Sequence, residues 1–320
     1  MGGQGFRQAG GSTVKLVVKI GGAALDDKSL LKKCAHTVAE LANRGYCVAV
    51  VHGGGKALTR TLAQFGKTSE FINGLRVTDQ ETRDVAVMVL AGAVNKRLVA
   101  AFADEGVPAI GLCGGDGMGF LARKKKANGI DLGYVGEIQK ADSRWIEVIW
   151  GNGGIPVLSS IALGSDGEYY NVNADEMASA CAVACRADAL VFLTDVAGVK
   201  GASGSIVRRL ATSEIPALVR SSVIGGGMLP KLEACQRALR SGVVRVLLLP
   251  AVQADVLPGF PESVVGLGSE VIGDDSPRSE NEETQSDLTT GDQFCENQDY
   301  RADRDLRDAS FDRMLDNWPG

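Results

Sequence analysis

The chain has 320 residues, 45% hydrophobic and 23% charged, an ordinary globular balance with length for one large domain or two lobes around a substantial core. Its net charge of −5 is uneven: residues 274–320 carry −9 and the rest +4, a body that fits an anionic ligand but is too weakly basic to argue for nucleic acid. No uninterrupted apolar run reaches the roughly 18 residues of a membrane span. Seven scattered cysteines, no CxxC pair and two histidines favour free thiols over disulfides or a zinc site.

Met1 to Thr13 is Gly-rich, lacks the basic and apolar regions of a signal peptide, and has Phe6 where a myristoylation signal needs Ser or Thr. A cytoplasmic location is expected, with this segment flexible. Residues 14–20 (VKLVVKI) are a β-branched run ending at Gly21-Gly22, the pattern of a buried parallel strand. Residues 28–44 place Leu30, Leu31, Cys34, Val38 and Leu41 at helical spacing, and Gly45 stops the helix. A strand over 46–51 runs into Gly53-Gly54-Gly55, followed by a helix over 56–66 and a hairpin region over 71–78. A long helix spans 79–105, with Asp79 as N-cap and Gly106-Val107-Pro108 as its end.

A strand over 108–112 precedes a glycine loop from Gly114 to Gly119, and residues 120–140 form a β-hairpin with a basic patch at Arg123 to Lys126. Helix 143–151, strand 155–159, helix 174–185, strand 189–194, helix 231–241 and strand 244–249 follow. Strands alternating with helices predict an open, mainly parallel α/β sandwich. Beyond Gly273 aliphatic residues become scarce and acidic ones abundant, which predicts a disordered acidic tail over 274–320.

The candidate chemistry lies where glycines follow strands. Lys19 ends the first apolar run beside Gly21-Gly22, and Lys231 follows Gly225-Gly226-Gly227. Glycine turns let backbone N–H groups approach a phosphate, and lysine adds a mobile positive charge. Two such lysines with Asp175 between them in sequence suit phosphoryl transfer, where positioning and charge neutralisation dominate. Each feature also has a bland alternative: a snorkelling surface lysine, a first-turn acid, a tight turn. There is no Walker A loop and no GxGxxG after the first strand. His52 is expected to be a packing residue.

Taken together, VVKIGG, VVHGGG, NGLRVTD, AVNKRLV, GLCGGDG, DLGYVGEI, PVLSSI, NVNADEMA, FLTDVAGV and GGMLPK, in this order over residues 14–250, resemble the amino acid kinase family, in particular the branch marked by NGLRVTD. The resemblance implies a three-layer αβα sandwich of the carbamate kinase-like type with two lobes: residues 14–186 binding the acceptor and residues 187–273 binding ATP. It implies ATP-dependent phosphorylation of the side-chain carboxylate of N-acetyl-L-glutamate, with Mg2+ carried by ATP and no metal site of the protein's own. Lys19 and Lys231 would hold the transferring phosphoryl and Asp175 would orient both. Gly22, Gly54, Gly55, Arg76 and Asn171 would bind the acceptor, and Gly21, Asp195, Gly226, Gly227 and Met228 the nucleotide.

A sister kinase acting on N-succinylglutamate or an aminoadipate derivative stays open, as does a non-catalytic nucleotide or metabolite sensor. After Leu249 the family continues with an aspartate-glycine-arginine stretch, whereas this chain reads Pro250-Ala251-Val252-Gln253-Ala254-Asp255. The short N-terminus lacks the long helix of arginine-inhibited hexameric members. A homodimer insensitive to arginine is therefore expected, with no nucleic-acid or membrane partner.

Overall fold

The structure, a computed structural model, describes residues 13–127 and 129–274. The expectations for most of the N-terminal segment and of the acidic tail lie outside the described residues. The first half contains β1 (Lys15–Ile20), α1 (Gly22–Asp26), α2 (Lys28–Asn43), β2 (Cys47–His52), α3 (Gly55–Gln64), β3 (Phe71–Ile72), β4 (Leu75–Arg76), α4 (Gln80–Ala86), α5 (Asn95–Asp104), β5 (Ala109–Leu112), β6 (Phe120–Ala127) and β7 (Ile130–Ala141). The second contains α6 (Arg144–Gly151), β8 (Ile155–Ser159), β9 (Ile161–Gly164), β10 (Tyr169–Val172), α7 (Ala174–Cys185), β11 (Ala189–Thr194), β12 (Arg209–Ala211), α8 (Ile215–Arg220), α9 (Met228–Arg240), β13 (Arg245–Pro250) and β14 (Ser269–Ile272).

Eight strands form one sheet in the order β12-β14-β13-β11-β1-β2-β8-β5. The run from β13 to β5 is parallel, while β14 pairs antiparallel with β13. Every residue of β11 is buried, as a central parallel strand covered on both faces must be. Alternation along β1 divides the core: Leu16, Val18 and Ile20 pack with α2 and α5, whereas Val17 packs with α7 and α9. This produces three layers, and by the same period of two Lys19 faces α7 and α9.

The sequence-predicted long helix spans Gln80–Asp104 as α4 and α5 joined by a π-helical stretch, Val87–Val94. Asp79 caps it by accepting from the Thr82 N–H at 2.9 Å. Its length and mean hydropathy of 1.7 would suffice for a membrane span, but 44% of its apolar window is buried within the protein.

The hairpin expected over 120–140 is β6–β7, but β9 and β10 join it to close a four-stranded barrel, β10-β7-β6-β9. Four-residue strands carry too little alternation to be read from sequence. The short α1, α8, β12 and β14 went unpredicted for the same reason. The atypical segment after Leu249 folds as a 3-10 stretch, Ala251–Gly259, held to α2 by a Lys33–Asp255 ion pair at 2.7 Å and to Arg44, the residue that ends α2, which donates to the Pro258 carbonyl at 2.6 Å.

Candidate active site

Parallel register sets the C-terminal ends of four strands at one edge: Ile20 lies opposite His52 and Leu193, and His52 opposite Ser159. Chain leaving β1 and β2 turns on glycine into α1 and α3, so helix N-termini with unpaired N–H groups lie at that edge. Gly54, at φ 151°, is the residue before α3. A Cβ there would stand 2.8 Å from Leu90 and 3.2 Å from Val94 on the π-helical stretch, so the turn is closed to any larger residue. Gly21 donates to the Leu193 carbonyl at 3.0 Å, and a Cβ would come within 2.9 Å of that oxygen.

Lys19 from β1, Asp175 from the first turn of α7 and Lys231 from the first turn of α9 meet here. Lys19 Nζ is 2.7 Å from Asp175 Oδ1, and Lys231 Nζ donates to Oδ2 at 2.9 Å. Asp175 is 7% exposed and the two lysines 8% each. Burial pushes the Lys19 ammonium below its ordinary range, with Asp175 opposing and Lys231 reinforcing the shift. Burial would raise the Asp175 carboxyl, but the charges of Lys19 and Lys231 outweigh it and hold the group down at about 2. Two cations on one anion leave a surplus positive charge in a dehydrated place, where a further anion is strongly favoured.

Beside this trio lies a cavity of about 160 Å3 lined by Gly53, Gly54, Gly55, Arg76, Asn171 and the first residue of α7, among others. Arg76 is buried; it donates to the Gly55 carbonyl at 3.0 Å, to Thr59 Oγ1 at 2.8 Å and to Ser69 Oγ, and stacks over Phe71 with 4.6 Å to the ring centroid. Burial lowers its pKa. The amide of Asn171 donates to Thr78 Oγ1 at 3.4 Å. The structure thus brings Gly54, Gly55, Arg76 and Asn171 around one space. Gly21, Gly22, Asp195, Gly226, Gly227 and Met228 do not line it. Gly22 opens α1, and Gly226 to Met228 lead into α9 three to five residues before Lys231. Asp195 follows β11, accepts from Thr194 Oγ1 at 3.2 Å, and its charge reaches Lys19.

His52 is fully buried and, as expected, structural. Its Nδ1 donates to the Gly53 carbonyl at 2.8 Å and its Nε2 accepts from the Asn95 amide at 3.0 Å, an assignment of a neutral ring that satisfies both nitrogens. Burial lowers its pKa to about 4. Asn95 also donates to the Val157 carbonyl at 2.8 Å, fastening the glycine turn to the long helix and β8.

Three contributors were missed from sequence. Asn173 is the N-cap of α7, accepting from the N–H groups of Asp175 at 2.8 Å and Glu176 at 3.2 Å; the signal, an Asn just before the helix, was there to read. Phe192 lies opposite Lys19 in register, and its ring centroid is 5.1 Å from Lys231 Nζ, a cation–π contact that only the approach of α9 creates. Glu176, beside Asp175, is also buried. Among the described residues no group of three or more His, Cys, Asp or Glu forms a metal cage.

Residues 14–249 match the model of the amino acid kinase family. The chain is 61% identical over 259 residues to the acetylglutamate kinase of Acidobacterium capsulatum and 54% identical over 259 residues to that of Koribacter versatilis, covering 81% of this chain and 99% of the relative in both cases. Among solved structures, the N-acetylglutamate synthase of Neisseria gonorrhoeae, complexed with coenzyme A and N-acetyl-glutamate, superposes with a TM-score of 0.72 at 26% identity, over 81% of this chain and 59% of that one.

Proposed function

The chain belongs to the amino acid kinase family, and from that premise we propose that it phosphorylates the side-chain carboxylate of N-acetyl-L-glutamate at the expense of ATP, giving N-acetyl-L-glutamyl 5-phosphate and ADP, the second step of arginine biosynthesis. The relatives at 61% and 54% identity support the substrate. The observation that carries the chemistry is the buried trio, two ammonium groups on one carboxylate.

In this reading a carboxylate oxygen of the acceptor attacks the γ-phosphorus in line as the bond to the bridging oxygen of ADP breaks. The acceptor is already ionised at neutral pH, so no general base is required. Lys19 and Lys231 neutralise charge on the transferring oxygens, and Asp175 keeps their ammonium groups from separating. The N–H groups at Gly22, Gly54 and Gly55 offer hydrogen bonds to acceptor and phosphoryl. Arg76 holds a carboxylate of the acceptor, for which its planar fork is suited, and Asn171 binds its acylated end. The nucleotide lies against Gly21, Asp195 and the Gly226–Met228 turn. The ordered lobes are assigned as 14–186 for the acceptor and 187–273 for ATP, two halves of one continuous sheet. Mg2+ comes bound to the nucleotide, where it neutralises phosphate charge.

The working assembly is a cytoplasmic homodimer. Met88 on the long helix is 57% exposed and Ile110 on the edge strand β5 is 50% exposed, an apolar margin that a second copy would cover. A monomeric mass in solution, or a hexameric one, would reject this assignment.

The deciding assay is ADP release with MgATP and N-acetyl-L-glutamate, N-succinyl-L-glutamate or L-glutamate, with the Lys231→Ala protein as blank. Turnover on the acetyl compound that disappears in the blank is expected. Turnover on the succinyl compound alone would move the enzyme to another acceptor, and none on any would reject the kinase reading.

A further inference from the structure

Glu176 follows Asp175 in the first turn of α7, and its side chain is 7% exposed. A buried carboxylate is costly unless it is paired, and this one is paired with three separate elements. Its Oε1 accepts from the Ile138 N–H of β7 at 2.9 Å. Its Oε2 accepts from Lys125 Nζ of β6 at 3.2 Å. Arg237 of α9 places Nη1 3.4 Å from Oε1. The group thus ties the barrel hairpin, the helix bearing Asp175 and the helix bearing Lys231 at a single point. Asn173 fixes the same turn from the backbone side by accepting from the N–H groups of both Asp175 and Glu176.

Burial and hydrophobic packing already hold α7 and α9 against the sheet through Met177, Cys181, Leu232 and Cys235. Such packing is non-directional. Charged hydrogen bonds are directional and therefore fix register. Phosphoryl transfer is sensitive to that register, since a displacement of about 1 Å in a reacting constellation can cost on the order of 100-fold in rate.

We propose that Glu176 is a positioning residue for the transfer reaction: through Arg237, Lys125 and the Ile138 N–H it sets α9 and the barrel against α7, so that Lys231 reaches Asp175. The proposal rests on the kinase reading for its rate consequence but not for its geometry. Glu176 touches neither substrate nor the reacting atoms in this scheme; it acts through the placement of Lys231.

Glu176→Gln keeps an acceptor for the Ile138 N–H and removes the charge that holds Lys125 and Arg237. It should lower kcat about tenfold while KM for either substrate stays within about twofold. Arg237→Gln alone should lower kcat in the same sense. The double variant should be no slower than Glu176→Gln, because both act along one path. Crystal structures of the two single variants should show the Lys231–Asp175 separation lengthened beyond about 3.5 Å, outside hydrogen-bond reach. Arg237 is half exposed at its side chain, so its variant remains informative if Glu176→Gln folds poorly. Unchanged kcat in folded variants, an unchanged Lys231–Asp175 distance, or strictly additive effects would overturn the proposal. A wild-type chain with no kinase activity would sink the functional reading instead, and the distance in the variants would still decide this one.

Discussion

Lys19, Asp175 and Lys231 come from positions 19, 175 and 231, and each is ordinary in its own segment. Together they form a buried cluster whose charges do not cancel, which makes it a site. Lys231→Ala and Lys19→Ala should each lower kcat by about 100-fold or more with smaller changes in KM, since each removes charge stabilisation made mainly in the transition state. Steady-state kinetics on the folded variants decides this, and near-normal turnover in either would reject the assigned role. His52 makes a second prediction. Its pKa of about 4 lies below the ordinary 6.5, so the unfolded chain binds its proton first. Its contribution to stability is complete above pH 6.5 and is lost as pH falls through 4, a difference of about 3 kcal/mol. His36 is exposed and raised in pKa by Glu105; its opposite contribution is present below pH 6.5 and lost as pH rises through its folded value. Urea unfolding from pH 7 to 4 should show the decline, and the same titration of His52→Gln should be flatter. Equal slopes would refute the assignment.

Elements place these residues, and their fit is close where the Gly54 turn meets the π-helical stretch. An alanine at 54 would have to occupy a φ of 151° with its methyl 2.8 Å from Leu90. Gly54→Ala should destabilise the fold by about 1–3 kcal/mol and lower kcat/KM about tenfold or more by moving the turn. At Gly55 nothing lies within 4 Å of an added Cβ, so Gly55→Ala should melt with the wild type. Melting curves for the pair separate a steric turn from a generic intolerance of glycine changes. Helix and central-strand positions were legible because Leu31, Cys34, Val38 and Leu41, or the β-branched run of β1, repeat a period long enough to detect. The π-helical stretch was not, because Val87 to Val94 is apolar throughout and its hydrogen-bond spacing leaves no periodic mark.

At the scale of the molecule, the assembled trio and the cavity lie wholly within the described residues, so a chain ending at Asp274 should retain full activity. Loss of activity or of solubility in that truncated chain would give residues 275–320 a necessary role. The family motifs, the alternation of strands and helices and the packing role of His52 were legible in the sequence, because each depends on local pattern or on residue chemistry, and the sequence named Lys19, Asp175 and Lys231 as candidates without showing that they meet. The closure of β6, β7, β9 and β10 into a barrel, the cation–π seat of Lys231 on Phe192 and the three-way pairing of Glu176 were decided only by tertiary structure. These depend on segments far apart in the chain meeting at ångström distances, and no local period encodes which of several equally polar or aromatic residues will face the site once the sheet and its helices have packed.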